Sequence, residues 1–341
     1  IKYIYGVLLI ERWCDTADQY QSIAIMSVIV QPRRQLSKSF RSFCNTDQRS
    51  AFFSSESINS PANSTPKFPI PSYEGETQPI PKCIMPVLPP HHQQKHQLDI
   101  ANAIRPYFQS QTPLLVQNLL NNCDALYFWR SLEYWRLAVD GDTPVEVEIG
   151  KSYNSGKRVT MRFSDYLDYL ALCTKQEGEQ DEQMHQQEVM YLAQNELFHQ
   201  VENDIAIPHF CQNEELNVGE GKLYHRMIWM GPRHTVSPLH YDPLDNILLQ
   251  VVGWKRVLLF PPDDARNNSQ WHYAGSNGNQ YNTSAVDIEN PDHDQFPNFR
   301  ASAPTPYECI LGPGDGLYIP KRWWHHVRSL QFSMSANVWW R

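Results

Sequence analysis

His240 and Asp242 lie two residues apart in Ser237-Pro238-Leu239-His240-Tyr241-Asp242-Pro243, and far downstream His325 stands in Tyr318-Ile319-Pro320-Lys321-Arg322-Trp323-Trp324-His325-His326. Residues i and i+2 of an extended strand project to the same side, so the imidazole and the carboxylate can face one ion. A distant strand can add the second imidazole. Two His and one carboxylate on one face of an octahedron leave three positions open, the arrangement in which non-haem Fe(II) oxygenases hold a co-substrate and dioxygen. His-x-Asp alone is a common tripeptide. The surrounding chain is what points it toward oxidation chemistry.

Just beyond the pair, Asn246-Ile247-Leu248-Leu249-Gln250-Val251-Val252, then Gly253-Trp254, then Lys255-Arg256-Val257-Leu258-Leu259-Phe260, read as two apolar strands joined by a tight turn. That predicts a hairpin with Lys255 at a strand end in the same sheet system. An oxygenase that uses 2-oxoglutarate needs a cation for the distal carboxylate, while the 1-carboxylate and keto oxygen take two positions on iron. Lys255 suits that role. Without the His/Asp/His set it would read as an exposed hairpin lysine.

From about Trp229 to Trp340 the sequence resembles a jumonji-C domain. The segments Val236-Ser237-Pro238-Leu239-His240, Asn282-Thr283-Ser284-Ala285-Val286-Asp287-Ile288-Glu289-Asn290-Pro291-Asp292 and Tyr191-Leu192-Ala193-Gln194 resemble the branch of that family described both as lysine-specific demethylases and as protein-arginyl hydroxylases. Trp129-Arg130-Ser131-Leu132-Glu133-Tyr134 and Val145-Glu146-Val147-Glu148-Ile149-Gly150 carry the similarity upstream, so that it covers residues 98–341.

The resemblance implies that His240, Asp242 and His325 bind Fe(II). It selects His325 over His326 because the family's ligand follows Trp in an Ile-Pro-x-x-x-Trp-His pattern, and His326 is then expected on the opposite face. It implies that Lys255 pairs with the 5-carboxylate of 2-oxoglutarate, aided by the Tyr191 hydroxyl and by Ser237, and that the Asn246 amide lines the co-substrate pocket. Tyr241 replaces the Gln common in relatives, on the side facing away from iron. Read without the resemblance, Ser237 is a turn residue, Asn246 a strand-start residue and Tyr191 a half-buried packing phenol. The implied reaction consumes 2-oxoglutarate and O2 and yields succinate and CO2. Its expected target is an arginyl side chain of a protein or peptide. Alternatives are demethylation of methyl-lysine on the same iron chemistry, a tRNA-modifying hydroxylase, or a non-catalytic binding module. Trp229, Trp324, Trp339 and Trp340 could wall the pocket or pack the barrel, and Glu146 and Glu148 are candidates to receive a cationic substrate side chain.

The elements that must position these residues are mainly β. From Leu223 onward short strands dominate, and the expected fold is a double-stranded β-helix, a jelly-roll or cupin-like barrel, with N-terminal helices packed on one sheet. Helices are predicted over Leu98–Arg105, Trp129–Val139 and Phe163–Cys173, the last with Ser164 as N-cap. Three regions follow: 1–90, a poorly structured N-terminal stretch and linker; 91–222, a helical and mixed part of the catalytic module; and 223–341, the jelly roll. Surface loops are expected over Gln176–Glu188 and Asn267–Gln280.

Composition narrows the partners. Of 341 residues 41% are hydrophobic, ample for a core, and the net charge of −8 disfavours a nucleic-acid binder, which carries a basic footprint. The run Tyr3 to Ile10 is too short to span a membrane. Seven cysteines without C-x-x-C spacing signal neither a zinc ribbon nor a disulfide framework and suit a reducing compartment, so nucleus or cytoplasm is expected. Gln19 to Asn45 lacks Asp and Glu and mixes Arg33, Arg34, Lys38 and Arg41 with serines, which reads either as a basic linker or as an organellar targeting segment. Residues 54–90, rich in Ser and Pro, read as a connector. Ile1 is not a start methionine, so the chain reads as a fragment or an automated gene product.

Overall fold

The structure, a computed structural model, describes residues 2–4, 7–9, 70, 73–87, 93–121, 123–150, 157–176, 189–262 and 282–341. The chain divides into two compact units, Ile1–Ser60 and Pro61–Arg341. In the first, β1 (Lys2–Ile4) and β2 (Val7–Leu9) pair antiparallel. The basic segment at 19–45, most of the Ser/Pro connector, nearly all of the acidic stretch after Gln176 and the Asn267–Gln280 loop lie outside the described residues.

The second unit contains β3 (Gln78–Pro79), β4 (Lys82–Ile84), α1 (Gln93–Ser110), β5 (Leu114–Gln117), α2 (Ala125–Phe128), α3 (Leu132–Ala138), β6 (Pro144–Ile149), β7 (Arg158–Arg162), α4 (Phe163–Gln176) and β8 (Met190–Glu196). It continues with β9 (Leu223–Gly231), β10 (Val236–Tyr241), β11 (Asp245–Val252), β12 (Lys255–Phe260), α5 (Pro297–Ser302), β13 (Tyr307–Leu311), β14 (Gly316–Ile319), β15 (Trp324–Ser329) and β16 (Ser333–Trp340). Two sheets result, one in the order β10-β15-β12-β13-β3 and one in the order β4-β5-β14-β11-β16-β9-β8-β6-β7. Facing sheets whose inner side chains interdigitate form a jelly roll, as the sequence predicts.

An apolar cluster that includes Ile80, Leu115, Leu248, Val257, Leu311 and Leu317 joins strands of both sheets. The outer face of the five-stranded sheet carries Leu239, Leu258, Phe260 and Trp324, and Val286, Ile288 and Phe299 cover it. On the other sheet, Phe108 of α1 lies against Tyr318 and Trp340, and the Tyr166 hydroxyl of α4 donates to the Met230 carbonyl. The N-terminal helices α1 and α4 thus sit on one sheet, as expected, whereas α5 lies against the other.

Several local expectations are corrected. β11 and β12 are not a hairpin: β11 lies between β14 and β16, whereas β12 lies between β13 and β15. Gly253 carries the chain from one sheet to the other at φ +74, where a Cβ would stand 2.0 Å from the Phe332 carbonyl oxygen, so only glycine fits. The helix predicted over Trp129–Val139 starts only at Leu132, because Ser131 turns extended and its hydroxyl caps α3 by accepting from the Tyr134 N–H, while Trp129 closes the preceding α2. Ser164 lies inside the first turn of α4, which begins at Phe163. β3 and β4 precede residue 91 yet pair with β13 and β5, and β8 pairs with β9, so the compact unit crosses the divisions expected at residues 91 and 223.

Candidate metal centre

β10 and β15 run antiparallel with His240 opposite His325 and Ser237 opposite Val327. Three residues on β10 therefore match two on β15, an irregularity of the β-bulge kind. The extra residue lets Ser237 and His240, an odd number apart, both meet the inward row of β15. Asp242 follows two residues on. Ligand-type atoms of His240, Asp242 and His325, all buried, lie within 4.8 Å of one another. His240 Nε2 stands 3.9 Å from Asp242 Oδ1 and His325 Nε2 stands 3.7 Å from Asp242 Oδ2, within the roughly 3 to 4 Å between ligands that share one ion.

Each imidazole is oriented by its own strand. His240 Nδ1 lies 2.7 Å from the Pro238 carbonyl oxygen and His325 Nδ1 2.9 Å from that of Trp323. A carbonyl can only accept, so both Nδ1 atoms carry the proton and both Nε2 lone pairs face the carboxylate, the tautomer a metal ligand needs. Burial, reinforced by nearby His325, pushes the His240 pKa down to about 4, which keeps it neutral and available to a cation. The donor set fits a divalent ion of the iron type. His326 faces outward, 4.0 Å from Glu289, and Tyr241 packs edge-on against Trp324 on the same outer side.

β16 supplies one inward polar contact at each depth. Trp339 Nε1 donates to Asp242 Oδ2 at 3.1 Å, Asn337 Nδ2 donates to Asn246 Oδ1 at 3.3 Å, and Ser335 Oγ accepts from Lys255 Nζ at 2.6 Å. Asn337 Oδ1 in turn accepts from Trp229 Nε1 at 2.9 Å. Lys255 pairs with Ser329, four residues beyond His325 on β15 and so about 13 Å deeper along the strand. Its ammonium is buried, and among the described residues it touches a hydroxyl and no carboxylate. Desolvation pushes its pKa down to about 7. A buried cation left without a countercharge is a receptor for an anion, which fits a dicarboxylate anchored at its far end. The Tyr191 hydroxyl bonds with Ser237, both buried, and the Tyr191 ring packs on Trp229.

Each residue singled out in the sequence has thus a definite place. His240, Asp242 and His325 converge, Tyr191 meets Ser237, and Lys255 lies deeper. Asn246 Nδ2 donates to Asp242 Oδ2 at 3.0 Å, so its amide braces the carboxylate. Trp229 and Trp339 face this interior, whereas Trp324 packs on the outer face and Trp340 among Phe108, Phe210 and Tyr318. Glu148 is buried against Arg158, and Glu146 accepts from the Thr160 hydroxyl, so both carboxylates are engaged on the β6–β7 pair. Sequence reasoning missed Ser335 and Asn337 and left Trp339 undecided. The alternation of Ser333, Ser335 and Asn337 with apolar residues in β16 was the signal for a polar inner row.

Residues 101–341 match the family model described as a cupin-like domain. Lysine-specific demethylase JMJ30 of Arabidopsis thaliana is 36% identical over 251 residues, which are 71% of this chain and 53% of that protein. Lysine-specific demethylase 8 of Danio rerio is 37% identical over 246 residues, 69% of this chain and 54% of that protein. Jumonji C domain-containing protein 5 of Drosophila melanogaster is 33% identical over 278 residues, 80% and 63% of the two chains. The chain thus spans about half the length of the first two relatives. With the cupin-like match running across the barrel and Jumonji C domain-containing protein 5 of Drosophila melanogaster aligned over 80% of the chain, the chain belongs to the cupin-like family, in its jumonji-C group.

Proposed function

We propose that the chain carries an Fe(II)- and 2-oxoglutarate-dependent protein oxygenase that removes methyl groups from lysine side chains. The observation that carries this reading is the pairing of a buried His/Asp/His set with a deeper, uncompensated lysine. His240, Asp242 and His325 would hold Fe(II), with both Nε2 atoms and the carboxylate facing one point. Lys255 and Ser335 would hold the distal carboxylate of 2-oxoglutarate, while Tyr191, Ser237 and Asn246 line its path. Bound together, the ion and 2-oxoglutarate supply the oxidation of a C–H bond by O2, with succinate and CO2 released. The chain's own part is to orient the two groups and to keep water from the buried interior.

Methyl-lysine is placed ahead of the arginyl carbon expected from the sequence because two relatives bear the name lysine-specific demethylase. Hydroxylation of an N-methyl carbon leaves a carbinolamine that breaks down to formaldehyde and lysine, whereas a hydroxylated arginyl carbon is stable. The two reactions share one site and differ in the C–H bond presented to it, so the site motifs favour neither, and the arginyl expectation rests on the resemblance to a branch described also as protein-arginyl hydroxylases.

The test is succinate formation with Fe(II), ascorbate and 2-oxoglutarate, with methyl-lysine and arginine peptides followed by mass spectrometry. Methyl loss with formaldehyde is expected, and Asp242→Ala should lower the rate by at least about 100-fold, beyond the loss of an outer partner. A gain of one oxygen on an arginine peptide would return the assignment to arginyl hydroxylation. No turnover above the Asp242→Ala control, with no Fe(II) bound, would leave a binding module.

A further inference from the structure

We propose that Trp339 is a positioning residue for the metal-binding carboxylate: its indole N–H, together with the Asn246 amide, engages one oxygen of Asp242 and leaves the other to face the ion. The proposal rests on the reading of His240, Asp242 and His325 as metal ligands. Trp339 Nε1 and Asn246 Nδ2 lie 3.1 and 3.0 Å from the same atom, Asp242 Oδ2. They reach it from a directly opposed cross-strand pair, Asn246 on β11 and Trp339 on β16. A carboxylate oxygen has two in-plane lone pairs, and two donors occupy both. Oδ1 lies 3.9 Å from His240 Nε2 and Oδ2 lies 3.7 Å from His325 Nε2, so it is the two donors on Oδ2, and not distance, that leave Oδ1 as the oxygen for the ion.

Both donors are braced. The Trp339 ring meets the His225 ring edge-on at 5.9 Å, and His225 Nδ1 is held by Glu196 Oε1 at 2.8 Å. Asn246 is held by Asn337, which is held by Trp229. A carboxylate fixed in this way occupies one coordination position. If it swung to bind through both oxygens it would take a second, one of the three that co-substrate and dioxygen require. Trp339 therefore serves to keep that position open.

The test is a Co(II) titration of the metal-free chain followed by visible absorption, which reports coordination number without turnover. Trp339→Phe keeps an aromatic ring and removes the donor. It is expected to lower Co(II) affinity by about 10- to 100-fold, to change the shape of the visible band, and to weaken 2-oxoglutarate binding to the Co(II) form. Trp135→Phe loses a buried indole donor bonded to the Trp129 carbonyl, remote from the centre, and should match the wild type. If Trp339→Phe does not fold, benzothienylalanine at position 339 keeps the bicyclic shape and deletes only the N–H. A wild-type affinity and band shape in the variant that lacks the donor would overturn the positioning role. Failure of the wild type to bind Co(II), or undiminished binding by His325→Ala, would instead remove the metal-ligand reading and this proposal with it.

Discussion

Lys255 is 2% exposed, and Ser335 Oγ is the side-chain partner of its ammonium. Burying a cation without a countercharge costs stability, so this lysine is explained by what it binds and not by what it adds to the fold. Lys255→Met keeps the length and removes the charge. It is expected to abolish 2-oxoglutarate binding while raising the stability of the ligand-free chain by about 1 to 3 kcal/mol, the scale of one unsatisfied buried group. The pH dependence has a definite sign. Because desolvation holds the folded pKa near 7, below the ordinary value of 10.5, the unfolded chain binds the proton more tightly between those limits. Stability should therefore rise from pH 7 toward pH 10 in the wild type and lose this component in Lys255→Met, as thermal melts would show. A variant with unchanged 2-oxoglutarate affinity would remove Lys255 from the co-substrate site. At this scale the sequence carried much of the centre, since two-residue spacing puts His240 and Asp242 on one face and an Ile-Pro-x-x-x-Trp-His pattern singles out His325. It did not carry the bracing contacts of Trp339, Asn337 and Ser335. Those depend on the register of β16 against β11, strands more than 80 residues apart in the chain.

β11 and β12 are the elements on which this arrangement turns. Two residues between apolar strands ordinarily make a hairpin, and the sequence predicts one here. Both strands are buried on each face, so neither shows the alternation that would reveal which neighbours it takes. The structure sends them to opposite sheets, and this is how Lys255 comes to reach Ser335 across the interior. Gly253 makes the transfer, with positive φ and the Phe332 carbonyl against its α-carbon. Gly253→Ala should destabilise the chain by more than about 2 kcal/mol, from backbone strain together with the displaced carbonyl. In urea, the midpoint should fall at unchanged slope. An unshifted midpoint would mean that the turn tolerates a side chain and that β11 and β12 are placed by other contacts. The helices follow the same logic at smaller cost, since α1, with Ile100, Ala101 and Ile104 buried, was legible from apolar spacing. The break at Ser131 was hidden because aromatic residues on both sides of it continue the helical pattern.

Across the whole molecule, the limits of the cupin-like match and the limits of the fold do not coincide. The cupin-like match begins at residue 101, yet the compact unit starts at Pro61. The difference contains β3, which extends the five-stranded sheet beside β13, and β4, which extends the nine-stranded sheet beside β5. Between them Ile80 enters the cluster that joins the two sheets, and Met85 is buried just beyond β4. These two short strands therefore close one edge of each sheet. A chain of residues 61–341 should match the full chain in urea midpoint and in Co(II) binding. A chain of residues 91–341 keeps all of α1 but loses both edge strands, and should be less stable by at least about 3 kcal/mol, the burial of two large apolar side chains. It should also associate through the edges it exposes, which light scattering would detect. Equal midpoints for the two shortened chains would make β3 and β4 ornaments of the barrel. A midpoint that already falls in 61–341 would assign part of the barrel's stability to residues 1–60. The expected order, with the loss appearing only between residues 61 and 91, follows from Ile80: its partners in the cluster include Leu115, Val257 and Leu311, one from each of three strands of the barrel.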